Sequence, residues 1–259
     1  MQPTLETLET LARQAGEILR AGFGNHTETN FKGEIDLVTE VDHQAEVFLL
    51  GKIRKAFPGQ KVIAEESGGL DGNEEDTWYI DPIDGTTNFA HGVPIFGVSI
   101  AYSIKGQVQF GVVYNPILEE MYKAQLGVGA WLNDKKIRVS QTTELKKSLL
   151  VTGFPYDRFD NPRNNLDEFN KLTLRAQGMR RLGSAALDLC FVAAGRVDGY
   201  WEIRLAPWDV AAGLLIAREA GARVTRMQGI QDFLQSPCSV VAANPILHQK
   251  ILNVLQEKD

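Results

Sequence analysis

Cysteine is nearly absent. The chain of 259 residues has two, Cys190 and Cys238, far apart and each inside an apolar run. A disulfide-stapled scaffold is excluded, and buried free thiols in a reducing compartment are expected. Histidine is sparse too: His26, His43, His91 and His248 stand singly, without the spacing of a zinc site. Positive charge is in deficit, 27 Lys and Arg against 33 Asp and Glu for a net charge of −6, which argues against nonspecific binding to nucleic acid or an anionic membrane. No apolar run reaches membrane-spanning length and no basic start precedes an apolar block, so the chain reads as cytoplasmic. A Gly-x-Ser-x-Gly elbow, a P-loop lysine and a dinucleotide fingerprint are missing, as are internal repeats and low-complexity segments. What is present, 44% hydrophobic and 23% charged residues, suits a soluble globular protein long enough to bury a proper core.

Chemistry concentrates in Trp78-Tyr-Ile-Asp-Pro-Ile-Asp-Gly-Thr-Thr-Asn-Phe89. Its bulky start suits a half-buried strand, which Pro82 is expected to end for want of an N–H. Asp81 and Asp84 bracket Pro82 and Ile83; Gly85, the hydroxyls of Thr86 and Thr87 and the amide of Asn88 follow. Hard oxygen ligands can hold a divalent cation, and free N–H groups at a following helix start can hold an anion, which makes Gly85 and Thr86 candidate substrate contacts. A cation beside an anion hole is a phosphate site. The bland alternative is an ordinary Asp-Gly turn with Asp81 as a cap. An EF-hand is excluded, since its acids alternate before the Gly. Phosphatases with an aspartyl nucleophile carry Asp-x-Asp-Gly-Thr, in which both acids share a strand face. Here the acids are three apart across a proline, so the chain must kink for both to converge, which favours two metal ligands.

Helical spacing of Leu5, Leu8, Ala12, Ala15 and Leu19 predicts an amphipathic helix over Thr4 to Arg20. A polar loop from Gly22 to Gly33 follows, then a second helix through Val41, Ala45, Phe48, Leu49, Ile53 and Ala56, closed by Pro58-Gly59. Asp42 falls in its first turn, where a dipole partner is as good a reading as a functional one. Val62-Ile63-Ala64 reads as a short strand ending in Glu65-Glu66, and Leu70 to Asp76 as a surface loop. Acids at the ends of two successive strands, Glu65 and Asp81, occupy the place where α/β folds put their chemistry. Extended runs follow at Phe96–Ile104, Val108–Tyr114, Glu120–Ala124, Gly127–Leu132 and Lys135–Val139, the first two joined by Lys105-Gly106. Lys135, Lys136 and Arg138 look like a charged sheet edge.

From Leu145 strand and helix alternate, with strands at Leu149–Thr152, Val197–Glu202, Val224 and Val240–Ala243, a strand end at Arg180, and helices at Asn164–Gln177, Ala186–Ala194, Trp208–Ala220 and Ile246–Leu255. A soft boundary therefore divides 1–144 from 145–259 within a single compact unit. Asp209 falls in a first helical turn, where a lone acid would be a cap. Glu202 ends an aromatic-rich strand, and the small side chains of Gly183-Ser184-Ala185 allow close backbone approach to a ligand. Acids and hydroxyls without zinc-type ligands point to Mg²⁺.

Four motifs in order, Asp36-Leu-Val-Thr-x-x-Asp42, Ala64-Glu65-Glu66-Ser67, Trp78-x-Ile-Asp-Pro-Ile-Asp-Gly-Thr-Thr-Asn-Phe89 and Trp208-Asp209-x-Ala-Ala-Gly213, resemble the inositol monophosphatase family across almost the whole chain. The resemblance implies a Mg²⁺-dependent phosphomonoesterase with a layered α-β-α-β-α fold of mixed α+β and α/β character, two or three ions per site, and a homodimer. It implies that Glu65, Asp81, Asp84, Asp209 and the carbonyl of Ile83 bind metal, and that Asp42 and Thr86 orient the attacking water. It further implies that Glu202, Asp209 and the Gly183–Ala185 turn hold the hydroxyl-bearing part of a small phosphorylated polyol or sugar. Thr87-Asn88-Phe89 after Thr86 is similar to inositol-type members, where nucleotide-type members carry Lys. Fructose-1,6-bisphosphatase and histidinol-phosphatase activities are the alternatives, with a non-enzymatic interaction protein a remote one. The expected chemistry is in-line attack of a metal-bound water, the two cations about 3.5–4 Å apart.

Overall fold

Thr4 starts the first helix. Its hydroxyl accepts the Thr7 N–H at 3.2 Å and Thr7 returns the bond to the Thr4 N–H at 3.2 Å, a reciprocal cap. The computed structural model describes residues 2–24, 29–31 and 37–257; Asp36 of the first motif and His26 lie outside them. α1 (Leu5–Gly22) is followed by the antiparallel pair β1 (Thr29–Phe31) and β2 (Leu37–Thr39), the first of them within the stretch from Gly22 to Gly33 expected to be a polar loop. α2 (Glu40–Ala56), β3 (Gln60–Ala64), β4 (Asn73–Asp84) and the short α3 (Thr86–Ala90) come next. A meander then runs through β5 (Gly97–Ile104), β6 (Gln107–Asn115), β7 (Glu120–Gln125), β8 (Gly129–Leu132) and β9 (Lys135–Lys136). Strands β3 to β9 form one sheet in sequence order, with the exposed lysines of β9 on its edge. β4 begins earlier than expected, taking in the acidic residues from Asn73, because its exposed start still pairs with Ile104 on β5 through Asp76.

The second sheet has the order β11-β10-β12-β14-β13, from β10 (Leu149–Thr152), β11 (Gly178–Arg180), β12 (Gly199–Leu205), β13 (Arg223–Thr225) and β14 (Cys238–Ala243). Its helices are α4 (Leu166–Thr173), shorter than the periodicity suggested, α5 (Ala185–Ala193), α6 (Pro207–Glu219) and α7 (Pro245–Leu255).

The alternation along β4 explains the layering. Trp78 and Ile80 join the core beneath α1 and α2, whereas Tyr79 joins the core built from α5, α6 and the second sheet. A third core lies between that sheet and α4 and α7. Helices, sheet, helices, sheet, helices: the chain is a layered α-β-α-β-α sandwich. α5 and α6 are apolar nearly all round, as helices in the middle layer must be.

Candidate active site

The parallel pairing of β3 with β4 sets Ala64 opposite Ile80. The next residue on each strand, Glu65 and Asp81, therefore leaves the same end of the sheet side by side, and the Glu65 N–H bonds Ile80 O at 3.3 Å. Pro82 does not end the strand. Pairing with β5 slips from Asp81–Ser99 to Asp84–Gly97, a bulge with one extra residue on β4. The bulge takes the proline out of the ladder and re-aims the residues beyond it. Gly85 then turns the chain at φ +99°, where a Cβ would lie 3.0 Å from Ile95 O and 3.2 Å from Gly183 O; only glycine fits both demands.

Asp42 sits directly behind this turn and is fully buried. Its Oδ2 accepts the Thr39 N–H at 2.8 Å and the Thr39 hydroxyl, the cap of α2. Its Oδ1 lies 3.1 Å from the Thr86 hydroxyl, which also stands 3.0 Å from Ile83 O. The structural and the functional reading of Asp42 thus describe different oxygens of one carboxylate.

The Gly183-Ser184-Ala185 turn meets Asp84. Ser184 caps α5 by accepting the Leu187 N–H at 3.3 Å and donates its hydroxyl to Asp84 Oδ2; the Ala186 and Ala185 N–H groups reach the same carboxylate at 2.8 and 3.1 Å. Asn88 ties the two turns together, its Nδ2 donating to Ile95 O and Leu182 O at 2.7 Å each. Asp209, in the first turn of α6, accepts the Ala206 N–H at 2.7 Å, the cap anticipated for a lone acid. Glu202 lies within β12 rather than at its end, at a register slip before Leu205, and accepts the Tyr200 hydroxyl at 2.7 Å.

One cavity of about 240 Å³ collects Glu65, Asp81, Ile83, Asp84, Gly85, Thr86, Gly183, Ser184, Ala185, Glu202 and Asp209 on its walls. Of the sequence-predicted residues only Asp42 stands behind the wall. Phe154, Tyr156, Arg181 and Arg204 also line it, and none carried a motif. Arg204 is held at φ +62° with its guanidinium 2.9 Å from Asp157. Asp188 on α5 was also missed. It is buried with Oδ1 unpartnered, and its signal was a single acid within an otherwise apolar helix.

The electrostatics are those of a site short of positive charge. Burial pushes the Asp81 carboxyl well above the carboxylate range, and Glu65, Asp84 and Asp209 add to it. Burial followed by Glu65 does the same to Asp209. Asp84 rises only to about 6, because its donors from Ser184, Ala186 and Ala185 oppose burial. Glu202 rises to about 7, burial outweighing the Tyr200 hydroxyl and Arg181. Among the described residues no three carboxylates close on one point as a ready cation cage; Asp84 has both oxygens on α5 and Asp209 has one on Ala206. Each carboxylate nonetheless keeps lone pairs beyond these bonds, and Asp81 Oδ1 is buried without a partner. The donor set is all hard oxygen, so it fits a Mg²⁺-like cation.

Against known proteins, residues 1–259 match the Inositol monophosphatase family. The chain is 41% identical over 256 residues to an inositol-1-monophosphatase of Mesorhizobium japonicum, covering 98% of this chain and 96% of that protein. It is 43% identical over 259 residues to a protein named Nus factor SuhB of Pasteurella multocida, covering 99% and 97%. Among solved structures, the inositol monophosphatase of Anabaena superposes with a TM-score of 0.87 at 43% identity, covering 97% of this chain and 94% of that one.

Proposed function

The chain belongs to the inositol monophosphatase family, and from that premise we propose that this phosphatase hydrolyses a small phosphate monoester, inositol monophosphate first, with Mg²⁺ as its cofactor. The observation that carries the reading is Asp81 Oδ1, buried and unpartnered among acids that repel it, in the cavity that also holds Thr86. Glu65, Asp81, Asp84, Asp209 and the carbonyl of Ile83 would hold the cations, two or three per site. When bound, such ions neutralise the phosphate and acidify the attacking water.

The residues of the chain supply orientation. The Thr86 hydroxyl donates to Asp42 Oδ1 at 3.1 Å, which leaves the Thr86 oxygen free to accept a proton from the attacking water and align its lone pair with phosphorus. No histidine or lysine hydrogen-bonds Thr86 among the described residues, and a bare alcohol is a poor nucleophile near neutral pH, so Thr86 is read as aligning the water and not as forming a covalent phosphothreonine. Glu202, with Tyr200 fixing one oxygen, takes substrate hydroxyls through the other. The Gly183–Ala185 turn and Asp209 close the remaining side, and Gly85 lets the backbone approach the phosphate.

We place the enzyme in the cytoplasm as a homodimer acting on a small phosphorylated polyol or sugar, with no membrane or nucleic acid among its partners. No helix among the described residues is long and apolar enough to cross a membrane. A purely non-enzymatic role finds no support at the site, where every expected acid is present.

The test is a panel of inositol, fructose-1,6-bis-, histidinol and nucleotide phosphates assayed with Mg²⁺ and with chelator. Inositol monophosphate should lead the panel, and chelator should abolish turnover. Chelator-resistant hydrolysis overturns the metal reading, and preference for another alcohol overturns the substrate. Glu202→Gln should then shift discrimination among polyol phosphates by about 1–3 kcal/mol; equal slowing of all of them would assign the residue another role.

A further inference from the structure

α2 carries a second acid that no motif contains. Glu46 is one helical turn beyond Asp42, so the two share a face, and it is 2% exposed. Its Oε2 accepts the Glu66 N–H at 2.8 Å and its Oε1 accepts the Ser67 N–H at 2.8 Å. A charged carboxylate that takes two successive backbone amides is a strong and directional grip.

The gripped segment starts immediately after Glu65. On its other side the Glu65 N–H is tied to Ile80 O on β4. Beyond Ser67 the chain reverses through Gly68 and Gly69 at φ +79° and +98°, and Leu70 pairs back with Val62 through two 2.9 Å bonds. The backbone bearing the Glu65 carboxylate is thus fixed from both sides and cannot swing about the end of β3. Meanwhile Asp42, one turn earlier, meets Thr86 in the turn after β4. One rigid helix sets the positions of two segments that frame the cavity.

We propose that Glu46 is a positioning residue for the cation site, holding the turn after β3 so that the Glu65 carboxylate is aimed into the cavity before any cation arrives. This rests on the reading of Glu65 as a cation ligand. The alternative is a carboxylate that merely satisfies two amides and contributes to folding alone.

The experiment measures Mg²⁺ binding by calorimetry and amide exchange at Glu66 and Ser67, in the native chain, Glu46→Gln and Glu46→Asp. Glutamine presents an NH₂ to one of the two N–H donors, and aspartate is too short to span both. In the native chain without Mg²⁺, both amides should exchange slowly, because the grip is preformed. In Glu46→Gln they should exchange at least tenfold faster, and Mg²⁺ affinity should fall by about 10–100-fold, as it does when a ligand loses its supporting contact. Glu46→Asp should fall between. Unchanged Mg²⁺ affinity in Glu46→Gln, with both amides released, overturns the proposal. So does fast exchange in the native chain that slows only when Mg²⁺ is added, an outcome that needs no variant to fold. A native chain that binds no Mg²⁺ at all sinks the cation reading itself, a failure separate from either of these.

Discussion

Asp42 divides its work between two oxygens, and mutation of the pair it forms with Thr86 should show it. Thr86→Ala removes the hydroxyl that would align the attacking water, and Asp42→Asn removes the acceptor that orients that hydroxyl. Each should lose about 10²-fold or more in kcat, as misplacement of a reacting group does, whereas Thr86→Ser should keep much of the activity. The double variant should lose little beyond either single one, because the two act as a unit; steady-state assays of the four proteins decide it. Rapid quench should trap no phosphoenzyme. Two neighbouring acids also part company. Asp84 accepts three donors from the start of α5, while Asp81 Oδ1 has none. In chelator, Asp81→Asn should raise stability by ~1 kcal/mol, about 2–4 °C in Tm for a chain of this size, by removing a group whose ionised form burial and three other acids oppose in the folded state. Asp84→Asn should give no such gain, since relief from repulsion is offset by the lost cap. Thermal melts of both variants provide the comparison.

At the scale of elements, the site depends on the contact of α5 with α6. α5 brings Ser184 and the amides that hold Asp84; α6 brings Asp209. At Gly213 the two helices are in close contact: an added Cβ would lie 2.8 Å from Leu189 Cβ and 3.3 Å from Ala186 O. Neither atom is the free end of a flexible side chain. Gly213→Ala should therefore force the helices apart and destabilise by ~1–3 kcal/mol. Activity should fall as well, although Gly213 does not line the cavity, because parting the helices would shift the α5 amides that hold Asp84 relative to Asp209 on α6. A denaturant midpoint unchanged from native would show that the interface absorbs the methyl group. The bulge in β4 acts in the same way on a smaller scale, turning a three-residue separation of acids into two groups facing one cavity.

At the scale of the whole molecule, the largest core is shared. Tyr79, Val113 and Tyr122 from the first sheet pack in one cluster with Val151, Leu187, Val210 and Val240 from beyond residue 145. The change of texture at residue 145 therefore marks a change of sheet, and α5 and α6 cover the face that the first sheet would otherwise expose. The fragment 1–144 expressed alone should show no cooperative thermal transition and should bind a hydrophobic dye, because a sheet with one bare apolar face is not independently stable. A sharp melting transition in that fragment would make the halves separate domains.

The parts given to Asp42 and Asp209 rested on the family resemblance. The spacing of apolar residues, Gly-Thr-Thr after an acid, and acids at strand ends were enough to locate nearly every element and to single out Glu65, Asp81, Asp84 and Glu202. These are local properties: periodicity, turn chemistry and capping act over a few residues, and a sequence displays them directly. What the tertiary structure decided is which groups meet. Pairing on β5 turned Pro82 from a strand end into a bulge, and the return of α5 across about a hundred positions gave Asp84 its donors. Glu46 and Arg204 were illegible because nothing in their immediate neighbours marks them, and Asp188 was marked only as a lone acid in an apolar helix. A buried carboxylate on an amphipathic helix reads as a solvated one until the segment that lies against it is known, and that contact is set by packing between residues distant in the chain.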